Sequence, residues 1–304
     1  MSSESFRQAC CSTVWELKAV SESSFDLQSW LQQHGVSAEQ ASGRLFCKWL
    51  PADQLERLQA EAEGLDALIP CAGALVVPRP LALGLAQGRA LLVLDWLDLA
   101  GGDRDGWEGL GRGLAQLHRR SQELSTTPGL FGWHGDRWIG AGIQRGGWQR
   151  SWGTFFAQQR LADQFQRLEA HGVHFSQSER LLERLPQWLE QHQPDPCLVH
   201  GDLWPGNAGV LRDGRPCLYD PAVSYSDREV DLAMARMFGG LPEAFFEAYN
   251  DEWPLPAGAE QRLIAYNLFH LLNHANLFGG SYIDQSRRSV EALLRMLEPQ
   301  PRYS

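Results

Sequence analysis

The 304-residue chain has no CxxC pair, no run of basic residues, no internal repeat and no low-complexity segment. Each absence excludes a class of function. The six cysteines, at positions 10, 11, 47, 71, 197 and 217, lie in or beside apolar runs and lack the paired spacing of a zinc or redox site. They read as reduced, mostly buried thiols. Lys and Arg number 27 against 37 Asp and Glu, a net charge of −10, which argues against a nucleic-acid partner. The opening MSSESFRQACCSTVW has no continuous apolar core of the signal-peptide kind, and the longest apolar region, 75–99, is broken by Pro78, Arg79, Pro80 and Arg89. The expectation is a soluble cytoplasmic protein with no membrane partner. What is present is core-forming material: 43% of residues are hydrophobic and 10% aromatic, enough for one large domain or two lobes.

Short runs rich in β-branched and aromatic residues fill the first third: STVWELKAV at 12–20, SFDLQSWLQ at 24–32 and GRLFCKWL at 43–50. They predict adjacent antiparallel strands. A helix is expected from Asp53, a capping residue with Glu56 three positions on, to about Ile69 before Pro70. Two further runs, GALVVP at 73–78 and RALLVLDWL at 89–97, would complete a sheet of about five strands with one helix. The glycine-rich AGGDRDG at 100–106 then marks a boundary, which divides the chain into a small lobe (1–99) and a larger one (100–304). Helical periodicity dominates the rest, over 107–121, 149–171, 177–192, 229–250, 258–278 and 284–297, with one small β element between. The expected class is α+β and bilobal: a small antiparallel sheet lobe with one helix, and a larger, mainly helical lobe.

That β element contains LVHGDLWPGNAGV, residues 198–210. It is followed by two strand-like runs joined by Asp213-Gly214, a dipeptide favoured in two-residue type I′ hairpins. A two-residue turn pairs Arg212 with Arg215 and sets Asn207 directly opposite Asp220. Cross-strand neighbours of this kind have Cβ atoms about 4.5–5.5 Å apart, so an amide oxygen and a carboxylate would share one divalent cation. Hard oxygen ligands suit Mg²⁺, which takes the rest of its shell from water and phosphates. Asp202 lies five positions before Asn207, the spacing of base and metal-binding Asn in the kinase signature H-R-D-x-x-x-x-N. The chemistry accounts for that spacing. One carboxylate must orient the attacking hydroxyl and accept its proton, while an amide and a second carboxylate hold metal against the phosphates. The plain alternative is an ordinary Asp/Asn/Gly/Pro turn between strands.

Lys48 on the third expected strand and Glu61, thirteen residues on in the helix, have the order of the kinase strand-helix ion pair that anchors nucleotide phosphates. Each alone is what a solvated strand Lys and helix Glu would look like. His270 and His274 lie four apart on a helix, but no Glu follows His270 in the H-E-x-x-H manner, so a packed helix near the substrate cleft accounts for them better than zinc. Arg228, Glu229 and Asp231 read as a buried ion pair that holds the catalytic loop.

With these residues in view, LVHGDLWPGN, LYDPAVSYSDREVDLAMARMFGG, NLFHLLNHANLFGGSY and FFAQQRL resemble the fructosamine kinase (ketosamine 3-kinase) family over about Lys48 to Tyr282. The resemblance implies the fold of aminoglycoside phosphotransferases and protein kinases, with ATP and Mg²⁺ as cofactors. It also implies Asp202 as base, Asn207 and Asp220 as magnesium ligands, Lys48 with Glu61 as phosphate anchor, and adenine at the backbone near Asp95, Trp96 and Leu97. The acceptor would be a small-molecule ketosamine or a glycated protein lysine, phosphorylated on the third sugar carbon so that the amine is regenerated. Trp204 would stack on the sugar, or else wedge the loop.

The sequence departs from the family at two places. Glu22 and Ser23, in VSESSFDLQSW, stand where paired glycines would cover the phosphates, although Ser21, Ser23 and Ser24 retain hydroxyls for them. Arg137 and Gly146 replace residues that are more often Asn. A kinase for another small alcohol, such as an aminoglycoside or amino alcohol, and a pseudokinase with a decayed glycine loop both remain open at this level.

Overall fold

A computed structural model describes residues 25–298. The expected strand 12–20 and the loop residues Ser21, Glu22, Ser23 and Ser24 lie outside them. The described part of SFDLQSWLQ is a helix, not a strand: α1 runs Leu27–Gln33, capped by Asp26, whose carboxylate accepts the Ser29 N–H at 3.1 Å. Its buried residues are Trp30 and Leu31, with Leu27 half-buried, a spacing of one helical turn where a strand would need alternation. A one-turn helix, α2 (Ala38–Ala41), follows with a complete capping box between Ser37 and Gln40.

Three strands form the first sheet in the order β1 (Leu45–Pro51), β3 (Arg89–Asp95), β2 (Pro80–Ala86). β3 is apolar along its length because both faces are covered. Leu91 and Val93 join Trp30, Leu31 and Cys47 on one face, and Ala90, Leu92 and Leu94 join the main core on the other. β2 went unread because PLALGLA has no β-branched residue. It pairs with β3 through the tight turn Gln87-Gly88, where both residues have positive φ (50° and 72°). The expected strand 73–78 is absent from this sheet. Only Val76 pairs, in a single bridge to Cys217, with Pro78 and Pro80 unable to donate to a ladder. Helix α3 (Leu55–Leu68) packs Leu58, Ala62, Leu65 and Leu68 into the core. Asp53 does not cap it; that residue sits in a preceding 3-10 turn, and the N-cap is Gln54.

β4 (Leu99–Ala100) leads into α4 (Arg104–Glu123), which begins earlier than its periodicity suggested because Asp103 accepts the Gly106 N–H at 2.9 Å. The region to residue 150 is richer in strand than expected. β5 (Phe131–Trp133), the hairpin β6 (Arg137–Ile139) and β7 (Gly142–Gln144), and β8 (Gly147–Gln149) each have only three residues, too short to show alternation. A continuous helical stretch follows as α5 (Trp152–Phe155), a π segment Phe156–Ala162, and α6 (Asp163–Ala170), then α7 (Ser178–Glu190).

β9 (Cys197–Val199) and β12 (Ser224–Ser226) complete a four-stranded sheet β8-β5-β12-β9, and between them lies the hairpin β10 (Ala208–Leu211) and β11 (Pro216–Leu218). The expected helix 229–250 is two, α8 (Glu229–Met237) and α9 (Glu243–Glu252), parted at Gly239 and Gly240, both with positive φ. α10 (Ala259–Phe278) and α11 (Ser281–Met296) end the described chain. No helix among the described residues is long and apolar enough to cross a membrane. Cys47, Cys71, Cys197 and Cys217 are buried free thiols.

Candidate active site

The hairpin register differs from the sequence expectation by one residue. Ala208 pairs with Leu218, and Asn207 faces Tyr219, whose N–H donates to the Asn207 carbonyl at 3.0 Å. The connection is a three-residue loop: Gly214 N–H donates to Leu211 O at 2.9 Å, and Gly214 alone has positive φ (85°). A type I′ turn needs positive φ at Asp213 as well. Asp213 instead uses its carboxylate to accept the Arg215 N–H at 3.1 Å, which favours a type I turn closed by left-handed Gly214. In a regular ladder that shift would send Asp220 to the other face. Asp220 leaves the ladder in the left-handed region (φ 55°), a costly conformation for a non-glycine residue, and its carboxylate meets the same cavity as Asn207.

The loop before the hairpin is held from beneath by one carboxylate. Asp231, wholly buried at the start of α8, accepts the backbone N–H groups of His200 at 2.7 Å and Gly201 at 2.8 Å, and pairs with His118 Nε2 at 3.1 Å. Burial opposes its charge, but His118 and these N–H groups outweigh burial and hold its pKa below the usual carboxylate value. Gly201 has φ 81°, and a Cβ there would stand 2.1 Å from the Ala222 carbonyl oxygen. The buried His200 ring is neutral with its proton on Nε2: Nε2 faces the Tyr219 carbonyl at 2.9 Å, and Nδ1 accepts the Asp202 N–H at 3.3 Å. The expected ion pair is different from its sequence reading. Glu229 pairs with Arg262 at 2.7 Å, whereas Arg228 donates to the carbonyls of Trp253 and Pro254 and stacks on Trp253 at 4.0 Å.

Asp202, Asn207, Asp220, Lys48 and Glu61 converge on one cavity. Asn207 Nδ2 donates to the Asp202 carbonyl at 2.9 Å and to Asp202 Oδ2 at 3.0 Å, so its amide oxygen is the atom left for a ligand. Lys48 Nζ lies 2.5 Å from Glu61 Oε2 and 3.1 Å from Asp220 Oδ1. Burial alone would pull Lys48 down, but Asp220 and Glu61 outweigh it and hold its pKa above the ordinary lysine value. Burial pushes Glu61 up to about 7 against the pull of Lys48, while Lys48 keeps Asp220 ionised despite burial. Asp202 is pushed up to about 7, first by burial and then by the Asp220 charge, which places a proton acceptor near neutral pH.

This constellation has known counterparts. The sequence pattern that defines the fructosamine kinases matches residues 16–296. The chain belongs to the fructosamine kinase family. It is a phosphotransferase that acts on a hydroxyl group. A probable ketoamine kinase of Synechocystis is 41% identical over 253 residues, 83% of this chain and 84% of that one. A solved structure described as a candidate fructosamine-3-kinase of Thermobifida fusca is 32% identical, with a TM-score of 0.71 over 83% of this chain and 85% of the other. An aminoglycoside phosphotransferase, solved as a ternary complex with ADP and hygromycin B, shares the protein-kinase-like fold at 16% identity and a TM-score of 0.54, over 84% of this chain and 88% of its own.

Within this kinase fold Asp95 ends β3, Trp96 and Leu97 follow it, and none of the three lines the cavity. Asp95 is engaged by Arg79 at 2.7 Å, Arg44 lies over the Trp96 ring at 4.2 Å, and the Leu97 carbonyl accepts the Leu99 N–H at 3.0 Å. Trp204 packs on its own loop, its ring where a Cβ on Gly206 would be, and is not among the lining residues. His270 and His274 are buried in α10, where His274 Nδ1 lies 2.7 Å from the His270 carbonyl. Gly146 is required by the passing Gly135 backbone, 2.2 Å from where its Cβ would stand. Sequence reasoning missed His118, His200 and Arg57. His118 lies 113 residues from its partner, a separation no local pattern reveals.

Proposed function

We propose that this protein transfers the γ-phosphoryl group of ATP to the 3-hydroxyl of a ketosamine, a ribulosamine, erythrulosamine or fructosamine adduct of an amine or a protein lysine. The observation that carries the proposal is the meeting of Asp202, Asn207, Asp220 and the Lys48–Glu61 pair at one cavity. It is supported by the names of the relatives, which are ketoamine and fructosamine kinases. In this reading residues 1–99 are the nucleotide-binding lobe and 100–304 the catalytic and substrate lobe of a cytoplasmic enzyme. Adenine hangs from the backbone near Asp95, Trp96 and Leu97, and Trp204 wedges the loop that carries Asp202 and Asn207.

Asp202 Oδ1 or Oδ2 accepts the proton of the acceptor hydroxyl as that oxygen attacks phosphorus in line and ADP leaves. Lys48, fixed by Glu61, neutralises phosphate charge. The Asn207 amide oxygen and the Asp220 carboxylate are hard oxygen donors that suit Mg²⁺. When bound, such an ion offsets the charge between the phosphates. Positioning and electrostatics supply most of the rate. The new phosphate sits beside the ketone, so enolisation at C1 expels inorganic phosphate, and hydrolysis of the resulting imine frees the amine. The overall result is deglycation.

The test is ADP release over a panel of ribulosamines, erythrulosamines, fructosamines and aminoglycosides, with Asp202→Asn alongside. Turnover of a ketosamine is expected, with kcat lowered about 10²–10⁴-fold by Asp202→Asn. No turnover of any ketosamine overturns the proposal. Undiminished turnover in the variant overturns the assignment of the base.

A further inference from the structure

The cavity that contains Asp202 is also lined by Arg57 and Arg137. Arg57 stands on α3 one turn before Glu61, and its guanidinium donates to Gln54 Oε1 at 2.5 Å and to the Gly140 carbonyl at 2.8 Å. Both partners are uncharged, and Arg57 forms no ion pair among the described residues. Burial pulls its pKa down, and only the more distant Glu61 opposes that pull. Arg137, the first residue of β6, has a side chain only 6% exposed. One of its nitrogens, Nη2, is spent on Glu63 at 2.6 Å, while its buried Nε has no hydrogen-bond partner among the described residues. Its guanidinium is held against the Trp133 ring at 5.1 Å.

A buried guanidinium with an unmet donor is expensive, and the cost is relieved by an oxyanion. The phosphoryl end of the cavity already has its own cation, Lys48, engaged by Glu61 and Asp220. Arg57 and Arg137, the latter charge-balanced in part by Glu63, are therefore further guanidinium groups on the same cavity wall, and Arg57 binds the β6–β7 hairpin that begins at Arg137 through Gly140. A planar donor fork matches carboxylate and phosphate better than it matches a neutral hydroxyl.

Resting on the ketosamine reading above, we propose that Arg57 and Arg137 receive an anionic oxygen group carried by the acceptor, a carboxylate or a phosphate ester. A carboxylate would come from the adduct of a free amino acid, and a phosphate ester from a phosphorylated sugar.

The test compares kcat/KM at saturating ATP for two matched pairs: the ketosamine of glycine against that of glycinamide, and ribulosamine 5-phosphate against ribulosamine. One anionic member is expected to exceed its neutral counterpart about tenfold or more, and the pair that does so identifies the source. Arg57→Gln and Arg137→Gln are each expected to bring that ratio toward one, and Arg137→Lys to restore part of it. The ratio is read within each variant, so poorer folding lowers both acceptors and leaves it intact. Equal turnover within both pairs overturns the inference. So does a rise in the KM for ATP with the acceptor ratio unmoved, because the anion is then the nucleotide's. Turnover without discrimination leaves the ketosamine reading standing, whereas no turnover of any ketosamine removes both.

Discussion

Replacing Asp231 by Ala should both destabilise the protein and slow it, through a carboxylate that never meets substrate. Asp231 is wholly buried and accepts from three buried donors: His200 N–H at 2.7 Å, Gly201 N–H at 2.8 Å and His118 Nε2 at 3.1 Å. Each donor left without a partner costs about 1–3 kcal/mol, and water entering the small void recovers part of that. A net loss of about 3–5 kcal/mol follows, in line with breaking a buried charged network. At about 2 °C per kcal/mol for a chain of this size, the melting temperature should fall by about 6–10 °C. Asp231→Asn keeps one acceptor oxygen but turns an NH₂ toward an N–H, so its loss should be similar or slightly smaller. The two backbone groups released are those immediately before Asp202, so kcat should fall more than KM rises, and amide hydrogen exchange should quicken at His200 and Gly201. Calorimetric melting and steady-state ADP release measure both effects. A melting temperature within about 1 °C of the parent, with kcat retained, would refute the reasoning.

Gly201→Ala should cost about 1–2 kcal/mol for the left-handed backbone alone, and more for the Cβ against the Ala222 carbonyl, read as a urea midpoint shift with unchanged slope. His270 is buried with neither ring nitrogen hydrogen-bonded among the described residues, and burial lowers its pKa to about 3. The unfolded chain binds a proton below about pH 6.5 that the folded chain refuses until about pH 3, so stability should fall as pH drops through that window. Between pH 7 and 5 the loss is about 2 kcal/mol. His270→Leu should flatten that slope, and parallel slopes for parent and variant would sink the assignment.

Much of the site was legible because its chemistry is local. The five-residue step from Asp202 to Asn207 spans one turn, in which the Asn207 N–H returns to the Trp204 carbonyl at 2.9 Å, so spacing alone nearly dictates that carboxylate and amide lie together. Lys48 and Glu61 could be paired from their order on a strand and the next helix. Other elements were not legible. SFDLQSWLQ has strand-like composition, but Asp26 capping and the Trp30–Leu31 face decide for a helix against the sheet. PLALGLA has weak strand composition, yet it pairs along β3, and its Ala82 and Ala86 share a core cluster with Trp30 and Leu31 of that helix.

The sequence by itself determined the five-residue step from Asp202 to Asn207, the identity of the carboxylates and amide, and the family, because these depend on residue type and on neighbours a few positions away. Tertiary structure decided the hairpin register that sets Asn207 against Tyr219, and the left-handed Asp220 that restores the carboxylate to the cavity. It also decided that Asp231 holds the loop with His118, and that Arg57 and Arg137 share a cavity wall with Asp202. These depend on contacts between segments as far apart as the 172 residues between Lys48 and Asp220, and on a one-residue choice of turn that shifts every pairing beyond it.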